Sequence, residues 1–321
     1  MAIKSGADLV IELPFLYACS AGQDFAKGAI DLIAKTGLAD SIVFGMEDIN
    51  FPVGSLIEKI LNNSQEYSAL LKNELARGAS FSKANSIALG KIYPEGDKFI
   101  SRPNNLLALS YIMNIRTNNY NLQIIPFERR GDYSSKKIRA DLSENFYMMP
   151  ESSQKILRDS EIADESKLWP LLQNIFIRSD SQELRKIYGI DEGIENLFIK
   201  NWRQAKNLDD FIGLCVCARY TRAHIRRRLI YILLGLDRGK TIIALREGVQ
   251  YARVLAFNSR GQEILRDHKK KSLIKIITRL KDAENESAKF FAMTENKASL
   301  LYEILLKSPN MSRESQRVLQ F

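Results

Sequence analysis

The chain has 321 residues, 45% hydrophobic and 26% charged, with a net charge of +9. That length suits two domains, and the balance is that of an ordinary globular protein. No stretch holds the roughly 20 uninterrupted apolar residues of a membrane span, Met1 to Ser5 opens no signal peptide, and Cys19, Cys215 and Cys217 form neither a disulfide framework nor a zinc knuckle.

In chain order, "ADLVIELP" is a short apolar run ended by Pro14, as in a buried parallel strand. "GQDFAKGAIDLIAKTG" carries helical spacing at Phe25, Ala29, Leu32 and Ile33, with Gly37 as its stop. "DSIVFG" is a second strand. Helical patterns follow over 54–62, 65–77 and 81–91, and "RPNNLLALSYIMNI" predicts a helix with Pro103 in its first turn. "LQIIPF" is a third strand and "SSKKIRADL" opens another helix. Strands alternating with helices predict an α/β class with an open parallel, Rossmann-like sheet over 1–150. From "MMPESS" onward the pattern turns mainly helical, so 151–321 reads as a second domain, in which "YARVLAFN" (251–258) is the clearest strand.

Charge divides along the same line. Residues 1–150 hold 16 lysines and arginines against 16 acids, and the rest hold 31 against 22. A neutral half joined to a basic half suggests a polyanionic partner, although a solvated basic surface gives the same count. Arg219, Arg222 and Arg226 fall at spacings of three and four, one stripe of a helix. Such a stripe can track an RNA backbone, with Tyr220 and Tyr231 near enough to stack on bases. Pairing with acids of neighbouring helices would use the same residues. Lys269 to Lys271 form a second basic cluster, read as a solvated helix end.

The chemistry-bearing stretch of the first half is "GDYSSKKIRADL" (131–142). If Ser134 caps a helix, the free amides of its first turn favour an anion. Ser135 and Arg139, four apart, share a face and could converge on one phosphate. A plain helix cap with exposed basic residues is the alternative. Gly45 ends the second strand, where open sheets bind ligands. Asn104 and Asn105 start a helix, as caps or as readers of a nucleotide edge. Arg129 and Arg130 follow the third strand.

These stretches together resemble a known family. "SSKKIR" is similar to the second signature of the HIGH-superfamily nucleotidyltransferases. "SGADLVIELPF", "IVFGMED", "RPNNLLALSYI", "RRGDYSSKKIR", "RYTRAHIRRRLIYILLG" and "YARVLAFNSRGQEIL", in that order, resemble the bacterial tRNA(Met) cytidine acetate ligases. The resemblance implies a cytoplasmic enzyme that activates acetate with ATP, releasing pyrophosphate, and acetylates N4 of the wobble cytidine of elongator tRNA(Met). It implies ATP contacts at Gly45, at Asn104 or Asn105, at Arg129 or Arg130, and at Ser134, Ser135 and Arg139. Mg²⁺ would be bound chiefly by the phosphates rather than by a protein ligand cluster. One departure is large. The family's first strand ends in a histidine-bearing loop, and the two histidines here, His224 and His268, lie far from any such place. The expectation is that an upstream segment carries that loop and that the chain as written does not form acetyl-adenylate. The rival expectations are an inactive RNA-binding remnant and a nucleotidyltransferase acting on a small phosphorylated substrate.

Overall fold

The apolar run Leu9–Glu12 forms a strand, β1, but its partner lies some 240 residues away. The structure, a computed structural model, describes residues 1–129, 135–268, 270–312 and 319–320. Strands β2 (Ser41–Met46) and β3 (Gln123–Glu128) pair in parallel, Ser41 opposite Gln123 and Met46 opposite Glu128. Strand β4 (Tyr251–Phe257) takes β1 antiparallel along one edge, Leu9 opposite Phe257 and Glu12 opposite Arg253, with a bulge between Val10 and Ile11. Strands β5 (Lys275–Ile277) and β6 (Leu319–Gln320) run parallel to β4. The expectation of β1 as a parallel strand beside the other two is therefore corrected: an unbroken apolar run reports burial, not the identity or direction of the partner.

The α/β pattern of the first half follows from its burial. Ile42, Phe44 and Met46 alternate along β2 and pack against helices, while Val43 on the opposite face is 61% exposed. The helices that frame the site are α1 (Gly22–Thr36), α2 (Val53–Asn62), α3 (Phe81–Ile92), α4 (Pro103–Thr117) and the short α5 (Ser135–Ala140); Ser64–Ala76 is also helical. Gly37 ends α1 in the left-handed region, and Pro103 opens α4, both as predicted. Ile30 of α1, Leu56 and Ile57 of α2 and Ala108, Leu109 and Ile112 of α4 close the core over the sheet.

Beyond residue 150 helices dominate, among them α6 (Arg222–Leu234) and α7 (Glu286–Leu305), around a core of Leu172, Phe176, Phe198, Phe211 and Ile225. A third cluster joins the halves: Leu16, Tyr17 and Leu32 pack with Tyr231, Tyr251 and Phe291. The segment carrying β1 and Tyr17 thus belongs by its contacts to the C-terminal sheet and helices. Among the described residues no helix is long and apolar enough to cross a membrane. Cys215 is buried, with its thiol pushed up to about 11 by that burial, whereas Cys217 is exposed.

Candidate functional site

A cleft of about 540 Å³ opens beyond the carboxyl ends of β2 and β3, lined by Gly45, Asn104, Leu107, Tyr111, Phe127, Arg129 and Ser135 among others. Open sheets bind ligands at this end. Gly45 leaves room here: a Cβ would sit 3.2 Å from the far end of the Phe127 ring, which would have to shift by a few tenths of an ångström. Phe127, half exposed, and Tyr111, tilted against Phe44 at 5.3 Å, give the cleft an aromatic wall. Neither was singled out in the sequence. The available signal, for Phe127, was an aromatic at the carboxyl end of the strand read at "LQIIPF".

Arg129 is held in place by a chain of hydrogen bonds. Its Nη1 donates to Asn104 Oδ1 at 2.9 Å, and Asn104 Nδ2 donates to Glu47 Oε1 at 2.6 Å. The other Glu47 oxygen accepts from the Asn105 backbone N–H at 2.9 Å. Asn105 itself is fully buried: its Oδ1 accepts from the Glu47 N–H at 2.8 Å and its Nδ2 donates to the Phe99 carbonyl. The two adjacent asparagines therefore differ. Asn104 faces the cleft and aims Arg129, whereas Asn105 spends its amide on the loop after β2 and leaves nothing for a ligand. Glu47, the hub between them, was also missed.

Ser135 begins α5 and lines the cleft; Arg139, one turn on, is exposed and lies off its wall. Arg130 and Ser134 lie outside the described residues, as does Lys269. Among the described residues no group of three or more His, Cys, Asp or Glu side chains is placed to hold a metal ion.

A second cleft, about 660 Å³, lies between α1, α3 and α4 on one side and α6 on the other. Leu107 lines both clefts, so they are neighbours across α4. The arginine stripe behaves differently from its sequence pattern. Helix α6 starts at Arg222 behind the cap Thr221, so Arg219 precedes the helix and does not share its face. Each of the three arginines meets an acid: Arg219 with Glu192 at 3.7 Å, Arg222 with Asp209, and Arg226 with Glu165 at 3.0 Å. These are half-exposed pairs, worth about 0–1 kcal/mol, from which a phosphate can displace the acid.

His224 lines the second cleft, lies tilted against Tyr220 at 5.3 Å, and has its pKa pushed down to about 4 by burial and by Arg228 and Arg227. In the unfolded chain it titrates near 6.5. Between those values the unfolded state binds a proton that the folded state does not, so this group's share of stability is lost as pH falls from about 6.5 to 4. The loss is on the order of 1–3 kcal/mol, less whatever water reaching the ring restores. In urea unfolding at pH 7 and pH 5, His224→Gln is expected to lose less stability on acidification than the parent. Equal losses would mean that the ring is solvated.

A family model described as HIGH Nucleotidyl Transferase matches residues 1–317. A Clostridium perfringens protein named tRNA(Met) cytidine acetate ligase is 31% identical over 343 residues, covering 98% of this chain and 84% of its own length. A Thermoanaerobacter protein of the same name is 32% identical over 306 residues, covering 87% of this chain and 75% of its own. Among solved structures, Thermotoga maritima TmcAL bound with alpha-thio ATP superposes with a TM-score of 0.87 at 24% identity, covering 100% of this chain and 86% of that one. This last likeness shows a shared fold, and the family model gives it as that of the HIGH nucleotidyltransferases.

Proposed function

The chain belongs to the tRNA(Met) cytidine acetate ligase family of HIGH nucleotidyltransferases, and from that premise we propose that it binds ATP in the cleft beyond β2 and β3 and uses it to acetylate a cytidine of elongator tRNA(Met). The observation that carries this reading is the convergence of Gly45, Asn104, Arg129 and Ser135, four residues spread over 91 positions, on one cleft with a pre-aimed guanidinium.

In this reading a carboxylate oxygen of acetate attacks the α-phosphorus of ATP and pyrophosphate leaves. The N4 amine of the cytidine then attacks the carbonyl carbon of acetyl-adenylate, AMP leaves, and N4 loses a proton. Arg129 and Ser135 would bind phosphate oxygens, with Arg139 reaching in from α5, and the aromatic wall would take the base. Arg129 acts by position: a guanidinium fixed before the substrate arrives stabilises developing phosphate charge without reorganising. Mg²⁺ would travel with the phosphates. The reaction would take place where tRNA is met, in the cytoplasm.

A second reading is favoured by one observation. The two histidines, His224 and His268, do not line the first cleft, so no imidazole of these 321 residues assists adenylyl transfer there. The chain would then bind ATP and tRNA without turning them over. One experiment separates the two. Equilibrium binding of ATP and of elongator tRNA(Met) transcript is measured on the chain as it stands, followed by incubation with ATP and labelled acetate and nucleoside analysis. N4-acetylcytidine with stoichiometric AMP is the expected result for the ligase. Binding of both ligands without acetylcytidine supports the second reading, and failure of the folded chain to bind ATP overturns both.

A further inference from the structure

The arginines that carry the RNA reading by spacing are paired to acids: Arg222 and Arg226 on α6, and Arg219 just before it. The next two on the same helix, Arg227 and Arg228, are not. Both line the second cleft, and among the described residues neither forms an ion pair. Arg228 lies over the Tyr231 ring at 5.3 Å and keeps a buried Nε without a hydrogen-bond partner. Among the described residues Asp24 is the one carboxylate lining this cleft, against the guanidiniums of Arg227 and Arg228 and that of Arg219, which Glu192 already pairs. Half-buried cations in excess of anions are costly unless an anion arrives, and guanidinium forks fit phosphate oxygens two at a time.

We propose that the cleft between α1 and α6 binds an unstacked nucleotide of a single-stranded RNA segment, its phosphate on Arg227 and Arg228, and presents the RNA to the neighbouring ATP cleft across Leu107.

The cleft has the further parts such a ligand needs. Phe81, 42% exposed at the start of α3, offers a ring on which a base can stack. The amides of Gln23 and Asn85 also line the wall and can read base edges. Burial holds His224 neutral at the mouth, where it can accept or donate a hydrogen bond without adding charge. The volume falls within the few hundred to 1,000 Å³ of ordinary ligand sites, so it holds one flipped nucleotide and not a duplex. The outer pairs at Arg222 and Arg226 continue along the same helix toward solvent, where flanking phosphates would run. This site rests on the reading above, in which the second substrate is an RNA.

The test uses fluorescein-labelled elongator tRNA(Met) transcript, binding isotherms at several salt concentrations, and three variants of the full chain. R227Q/R228Q removes the inner guanidiniums. Ala223→Trp fills the cleft from an exposed position and leaves the charge alone. R222Q/R226Q removes the outer pairs. The first two are expected to weaken RNA binding about tenfold or more, and R227Q/R228Q to flatten the log–log salt slope by about 0.7, one single-strand phosphate's worth. ATP affinity should hold in both, and R222Q/R226Q should have the smaller effect. If Ala223→Trp, folded, binds the transcript like the parent, the proposal fails even where R227Q/R228Q does not fold. If only R222Q/R226Q weakens binding, the RNA lies on the outer face and the proposal fails while the tRNA reading stands. If ATP affinity falls together with RNA affinity, the cleft is part of the nucleotide site and the proposal again fails. A parent chain that binds no tRNA removes the underlying reading itself.

Discussion

Arg129→Ala is expected to weaken ATP binding about 10- to 100-fold, with little change in melting temperature. A hydrogen bond to a charged group is worth about 1.5–3 kcal/mol, which spans that range. The upper part applies because the side chain is already aimed. Asn104 fixes it at 2.9 Å, Glu47 fixes Asn104, and the Glu47 loop is tied to buried Asn105, so little conformational entropy is lost on binding. Stability should change little, because Arg129 is only partly buried and, among the described residues, its one side-chain bond is to another cleft residue. Calorimetric titration with ATP beside a thermal melt reads both. Arg129→Lys should fall between, keeping the charge but losing the fork. Asn105→Ala should behave oppositely, destabilising the fold because it strands the Glu47 and Asp48 amides. If Arg129→Ala melts far lower while the folded fraction binds ATP normally, Arg129 is a structural residue and the cleft takes its phosphates elsewhere.

The contrast between Asn104 and Asn105 shows where the sequence stops being legible. Both sit at a helix start, and both could cap or read a base. About 100° of helix rotation separates them, and only the packing of Phe99 and the loop after β2 decides which points inward. The elements themselves were legible because periodicity is local. The apolar runs of β2 and β3, the clear strand at β4, the glycine at 37 and the proline at 103 each carry their signal within a few residues. Pairing is not local: β1 meets β4 across the whole chain, and nothing within "ADLVIELP" specifies an antiparallel partner. The arginine stripe keeps Arg222 and Arg226 on one helix but loses Arg219, for a related reason. Spacing alone placed Arg219 on a helix that the Thr221 cap begins two residues later. Acids distant in sequence, Glu192, Asp209 and Glu165, then claimed the three side chains that spacing had singled out.

Gly28→Ala should be a strongly damaging small substitution at the junction of the halves, costing about 3 kcal/mol or more and lowering the melting temperature by roughly 6 °C or more. Gly28 sits in the middle of α1 with the Tyr17 ring laid directly on it: an added Cβ would fall 2.1 Å from Tyr17 Cγ and 2.5 Å from its Cβ. These are root atoms of the side chain, so no rotamer change relieves the overlap and the backbone of 15–19 must move. Tyr17 has no room to give. It is 2% exposed and stacks on Phe291 of α7 at 5.8 Å, within the cluster that joins the two halves. Expelling a ring of this size costs as much as truncating a buried aromatic, about 3–5 kcal/mol. The damage should extend to RNA binding, since Ser20 to Asp24, which wall the basic cleft, follow directly and are tied to α6 by the Tyr231 hydroxyl donating to the Cys19 carbonyl. Gly22→Ala on the same helix is the control. Its nearest neighbour is Leu107 Cδ1 at 3.9 Å, so it should cost little. A double-mutant cycle then isolates the cause. In a Tyr17→Ala background, where two of the three closest atoms are gone, Gly28→Ala should cost distinctly less than in the parent. Equal costs in both backgrounds would place the role of Gly28 in the helix backbone and not in the contact that closes the two halves on each other.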